Sequence, residues 1–171
     1  MHAFYKHPLA LSAMVIAATL GLSACGAPSS EKLLLSSAAY LEKGEPKAAI
    51  IEAKTALQKG DSAQGRFLLG KGLLLSGDAA GAEVELRRAL AQGQPEAQVI
   101  PLLAEALMGL GRDKEVVDNF GGKVLGDARA QAQLKASLAV AYARQTQLDL
   151  STKAIDEALA ARADRFEQRV V

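Results

Sequence analysis

Between Gly65 and Leu90, in GRFLLGKGLLLSGDAAGAEVELRRAL, the apolar positions fall at helical spacing twice, on either side of a break at Ser76-Gly77-Asp78. Leu69 and Leu73 lie along the first segment, Leu86 and Leu90 along the second. Gly70, Ala82 and Ala89 stand where two such helices would have to touch. The pattern predicts a helix, a tight turn and a second helix, and it recurs. Gly44, Ala49, Ala56 and Leu57 precede Gly77, Ala82, Ala89 and Leu90 by 33 positions each. Gly77 maps to Gly111, 34 on, and Gly111 to Thr146, 35 on, with Tyr142 upstream and Ala158-Leu159 downstream. A unit of this size has one apolar face that it can bury only against its neighbours.

Taken in order, the spacing predicts a first helix that ends near Lys43, with Ser30 placed to cap it and Glu31 favourable in its first turn. Gly44-Glu45-Pro46 is the turn, and Pro46 suits the first turn of a helix from Lys47 to Lys59, stopped by Gly60. Asp61-Ser62 opens the next pair. Inside its first helix Gly70 has a packing reason, but nothing in the pattern gives Gly72 one. The third pair starts near Pro95-Glu96, with Pro101 within its first turns and a turn at Gly111-Arg112-Asp113. Its second helix, Glu115 to Phe120, breaks early at Gly121-Gly122, and Val116 and Lys123 stand where small residues belong. The fourth pair runs from Asp127 through Ala128–Ala143, turns at Gln145-Thr146-Gln147, and ends in a helix from about Leu150 to Ala163. Ile155, Ala158 and Leu159 share one face of that last helix. Either Asp164–Val171 prolongs it, or the chain is a truncated form of a longer array.

A period near 34 residues built as helix–turn–helix resembles the tetratricopeptide repeat, and the resemblance covers about Ser30 to Leu159. It implies an all-α fold, a right-handed α-solenoid of about four repeats (about 30–62, 63–96, 97–131 and 132–165). Composition agrees. Ala, Leu, Glu, Lys, Arg and Gln dominate, and no run alternates as a strand would.

The N-terminus reads differently. Lys6, an apolar stretch from Pro8 to Leu22, and Leu-Ser-Ala-Cys at 22–25 describe a secretory signal over residues 1–24, the run being too short for an ordinary spanning helix. An uncleaved membrane anchor is the competing reading. The ending resembles a bacterial lipobox, which implies lipidation at Cys25, a tether over 25–30, and the array over 31–171. Two or more acyl chains are what stable anchoring needs. Gly26 after the Cys, by resemblance to Gram-negative lipoproteins, implies sorting to the outer membrane, facing the periplasm.

Cleavage there removes both histidines, His2 and His7, and Lys6, leaving 19 Lys and Arg against 19 Asp and Glu. Balanced charge gives no electrostatic case for nucleic acid. Without His or a free Cys, neither a Ser-His or Cys-His nucleophile pair nor a His/Cys metal site is available. Gly70-Lys71-Gly72 lies within a helix and lacks phosphate-loop spacing. No catalytic residue, cofactor or metal is expected.

What remains is a surface. In tetratricopeptide arrays the first helices line a concave groove that holds an extended peptide or a partner helix. By motif position the resemblance carries that role to Gln64, Phe67, Lys71, Gln98, Glu105, Met108, Gln133 and Arg144. Lys71 and Arg144 would grip a carboxylate, and Glu105 would answer a basic group. More narrowly, LEKGEPKAAIIEAKTALQK (Leu41–Lys59) and the Gly65–Leu90 stretch resemble the first repeats of the tetratricopeptide lipoproteins of PEP-CTERM/exosortase systems, whose members are longer arrays found beside exopolysaccharide genes. That resemblance implies a lipid-anchored periplasmic scaffold binding a protein partner of envelope or exopolysaccharide assembly, or of PEP-CTERM protein sorting. A pilotin-like lipoprotein that assists secretin or pilus assembly is the alternative. An enzyme acting on cell-wall glycan is a third reading.

Overall fold

The computed structural model describes residues 28–167, with side chains through 162; the expected signal segment, Cys25 and the start of the tether lie outside the described residues. Among these residues eight helices follow one another and no strand occurs: α1 (Ser30–Glu42), α2 (Pro46–Lys59), α3 (Ala63–Leu75), α4 (Ala79–Ala91), α5 (Glu96–Gly109), α6 (Asp113–Phe120), α7 (Ala128–Arg144) and α8 (Leu148–Glu167). They pair as hairpins, α1 with α2 through α7 with α8, and the pairs stack in chain order. The chain is an all-α solenoid of four helix–turn–helix units.

The four turns inside the hairpins close in one way. The N–H groups of Glu45, Asp78, Arg112 and Gln147 each reach back to the carbonyls of Tyr40, Leu73, Leu107 and Tyr142, all at 2.9 Å. The residue before each donor is left-handed, which satisfies carbonyls that the helix end would otherwise orphan. Gly44, Gly77 and Gly111 adopt φ of +74°, +90° and +70° there, and Thr146 adopts +61°. Three glycines take this conformation freely. A β-branched threonine does not, so the fourth turn holds strain that the first three lack.

Side chains cap α1, α3, α4 and α7, while α2, α5 and α6 start without a side-chain cap. Ser29, not Ser30, caps α1, its hydroxyl accepting from the Lys32 N–H at 3.2 Å. Ser30 thereby enters the helix, and its hydroxyl donates to the Ala56 carbonyl of α2 at 3.3 Å. Ser62, Asp78 and Asp127 cap α3, α4 and α7 through the N–H groups of Gly65, Gly81 and Ala130. The last helix also differs: α8 starts at Leu148 because the Ser151 N–H already bonds the Gln147 carbonyl at 3.0 Å, and it continues past Ala163 to Glu167.

Each hairpin carries a buried pair at equivalent positions, one residue on each helix: Ser37 and Ala49, Gly70 and Ala82, Ala104 and Val116, and Ala139 and Ser151. In the first and last hairpins a hydroxyl ties the two helices, from opposite sides. Ser37 Oγ donates to the Ala49 carbonyl and Ser151 Oγ to the Ala139 carbonyl, both at 2.9 Å. At Gly70 a Cβ would lie 2.8 Å from Leu86 Cγ and 3.2 Å from the Leu86 backbone nitrogen. Gly72, which the sequence pattern did not explain, meets the preceding hairpin instead: a Cβ there would lie 2.9 Å from Ile50 Cγ1. One glycine sets the spacing within a hairpin, the other between hairpins.

The third unit is the irregular one. α6 has eight residues, and Gly121 ends it where a Cβ would fall 2.7 Å from the Val117 carbonyl oxygen. Phe120 and Leu125 still enter the core, and the Leu125 N–H donates to Gln131 Oε1 at 2.7 Å, so the chain after α6 packs without being helical. Behind the short helix, α5 and α7 pack directly and more extensively than α3 and α5 do.

Two substitutions test this account by thermal unfolding followed by circular dichroism. Thr146→Gly relieves the left-handed strain and is expected to stabilise by about 1 kcal/mol, raising Tm by about 2–4 °C. Gly70→Ala is expected to destabilise by about 1–3 kcal/mol, overriding a helix-propensity gain of about 1 kcal/mol.

Candidate partner-binding surface

The residues expected to face a partner stand on α3, α5 and α7, and the structure joins several of them across the seams between these helices. Gln64, Gln98 and Gln133 occupy the same position of successive first helices. Gln94, in the connection before α5, is 7 % exposed, and its amide donates to Gln64 Oε1 at 3.0 Å and to Gln98 Oε1 at 2.7 Å. Gln133 donates to Glu105 Oε1 at 2.7 Å. Phe67 is half-buried and packs against both core clusters, which makes it a joint between the first two units and the rest. Met108 is half-buried on the larger cluster.

Two expected roles change. Arg144 does not present a bare guanidinium, since its Nη1 pairs with Asp113 at 3.0 Å and lies 3.4 Å from the Met108 carbonyl. Glu105 already accepts from Gln133. Their heads hold neighbouring units together, which uses hydrogen-bonding capacity that a ligand would otherwise meet. Lys71 is half-buried, and among the described residues its ammonium forms no ion pair, so it keeps its charge for a carboxylate. Gln94 was not singled out from sequence. Its signal was available, a polar residue between Gly93 and Pro95, but its burial was not.

The opposite side of the stack, built on the second helices, carries a closed ring of charge. Glu83 pairs with Arg87 at 2.9 Å and with Arg112 at 2.6 Å, Arg87 pairs with Glu115 at 2.7 Å, and Arg112 pairs with Glu115. The ring straps α4 to the start of α6 where α6 is short. Burial pushes the Glu83 carboxyl up, but hydrogen bonds from Arg87 and Arg112 outweigh it and hold the group below the usual glutamate range. Further along, the Lys135 ammonium, 2.6 Å away, holds Glu157 below that range against the opposing effect of burial. Among the described residues no three carboxylate, histidine or cysteine side chains gather as a cation site would require.

Four helix–turn–helix units stacked in chain order make the fold a tetratricopeptide-type helical solenoid. Among solved structures the chain is similar to the crystal structure of MamA, a tetratricopeptide protein, with a TM-score of 0.64, 21 % identity and 81 % of each chain covered. No family model and no curated protein matches the chain.

The charge ring makes a pH prediction. A carboxyl held below its unfolded value contributes stability that is present above the ordinary glutamate range and is lost as pH falls through it toward the lower folded value. Glu83→Gln is expected to lower Tm at pH 7 and to lower it by less near pH 3, because protons compete for the wild-type carboxylate as pH falls. A loss of equal size at both pH values would mean that the contribution is packing rather than charge.

Proposed function

We propose that the chain is a non-enzymatic, lipid-anchored scaffold on the periplasmic side of the outer membrane. It would hold a protein partner of envelope or exopolysaccharide assembly, or of PEP-CTERM protein sorting, along the face of α3, α5 and α7. The observation that carries the reading is the repeated polar row on that face, Gln64, Gln98 and Gln133 at one position of successive helices, with the unpaired Lys71 beside it. A row of amides at repeat spacing suits an extended chain, whose backbone offers donors and acceptors at intervals. The fold shared with MamA supports protein binding. The lipobox at 22–25 and the two repeat stretches supply the anchoring and the assembly system. No helix among the described residues is long and apolar enough to cross a membrane, so the attachment proposed rests on Cys25.

Photo-crosslinking from Lys71 and from Gln98 in the native host, with mass spectrometry of the products, tests the partner. An adduct with a polysaccharide-assembly or sorting protein is expected, and Lys71→Glu should reduce its yield on the order of tenfold. A secretin adduct would move the assignment to a pilotin, and no adduct at all from the folded protein would remove the scaffold role. Cys25→Ser is expected to abolish fatty-acid labelling and to leave the 1–24 segment on the chain, read by mass. Labelling that persists in that variant would sink the lipoprotein reading.

A further inference from the structure

The last hairpin leaves a helix-sized seat open. A groove of about 870 Å³ lies against α7 and α8, lined by Ala132, Ala136 and Val140 on one helix and by Ile155, Ala158 and Leu159 on the other. Ile155, Ala158 and Leu159 hold the repeat positions that Leu86, Ala89 and Leu90 hold on α4. There α5 covers them: Leu86 and Ala89 are 0 % exposed, within one cluster with Val99 and Leu103 of α5. Ile155 is 48 % and Leu159 59 % exposed. The same surface is therefore filled by a helix on α4 and exposed on α8.

Charge narrows the occupant. Arg129, near the start of α7, and Arg162, near the end of α8, both line the groove, and because the helices form a hairpin they stand at the same end of it. Among the described residues no carboxylate lines the groove. Inside the array a basic side chain after a second helix holds an acid at a helix start: Lys123, beyond α6, pairs with Glu96 in the first turn of α5. A helix laid as α5 lies on α4 would bring its N-terminus to the arginine end, where acidic residues also suit its dipole.

We propose that the open face of α7 and α8 is a docking seat for an amphipathic helix of a partner protein, one whose first turn carries carboxylates that meet Arg129 and Arg162. The proposal rests on the scaffold reading for the existence of a partner, but the seat itself rests on the equivalence of α8 with α4.

The test uses the purified full chain and a fluorescein-labelled helical peptide copying Pro95–Gly111 with a second glutamate at position 98. The comparison peptide carries lysines at positions 96 and 98. Fluorescence anisotropy is expected to show saturable binding of the acidic peptide. Binding should weaken by about tenfold for the lysine peptide and for the Arg129→Glu, Arg162→Glu double variant. It should be lost in Leu159→Asp and unchanged in Lys54→Glu, an exposed position on α2 outside both surfaces. All substituted positions are solvent-accessible, and a melting curve on each variant confirms folding. Equal binding of the two peptides, survival of binding in Leu159→Asp, or no binding overturns the seat. Self-association in sedimentation velocity that Leu159→Asp abolishes would give the face to a second copy and overturn it too. A cellular adduct from Lys71 without peptide binding removes the seat alone; peptide binding without any cellular adduct removes the scaffold role alone.

Discussion

The packing of the two helices in each hairpin is the contact on which the rest of the molecule depends. With a buried pair at equivalent positions in each, Ser37 and Ala49, Gly70 and Ala82, Ala104 and Val116, and Ala139 and Ser151, the hairpins share one geometry and can stack at one repeat. Close packing of small residues leaves little free side-chain entropy to lose and lets larger residues nearby fill the space around them. Where the side chain is a serine, its hydroxyl is spent on the carbonyl of the facing helix, so the approach leaves no buried polar group without a partner. Leu86 shows the consequence: it fills the space that the absent Gly70 side chain leaves, and α5 seals it from the other side.

Stacking then sorts the chemistry. The seams between hairpins are apolar at their centres and tied at their edges, by amides and a guanidinium along α3, α5 and α7 and by ion pairs along the second helices. These surface pairs contribute little each, but the ring of Glu83, Arg87, Arg112 and Glu115 spans the place where the third unit is thinnest. An array in which each unit contacts only its neighbours distributes stability along its length. A unit with no neighbour on one side leaves apolar surface exposed there, as the α7–α8 groove does among the described residues. The polar row and the groove adjoin at Gln133, which belongs to both.

The irregular third unit shows how far local pattern reaches. Gly121-Gly122 stops α6, as the residues foretold. What they did not show is that Leu125 returns to the core as irregular chain, held by Gln131, and that α5 and α7 close the gap directly. The expected binding residues divide in the same way. Their positions on the first helices follow from the period of the sequence, but whether a head is free depends on what the next unit offers. Among the described residues Lys71 forms no ion pair, whereas Arg144 finds Asp113 and Glu105 finds Gln133.

By itself the sequence determined the helices, their turns and the period of the array, because hydrophobic spacing, caps and left-handed turn residues act within one or two turns of chain. It also determined the candidate lipid site, which depends on a contiguous motif. Only the tertiary structure decided which glycine serves which contact, as with Gly72 against Ile50, and which polar heads are already spent. It alone showed that Ile155 and Leu159, read as the apolar face of a last helix, lie uncovered while Leu86 at the equivalent place is buried. The reason is that burial and pairing are properties of two surfaces, brought together by residues about 30 positions apart, as from Glu83 to Arg112 or Gln64 to Gln94.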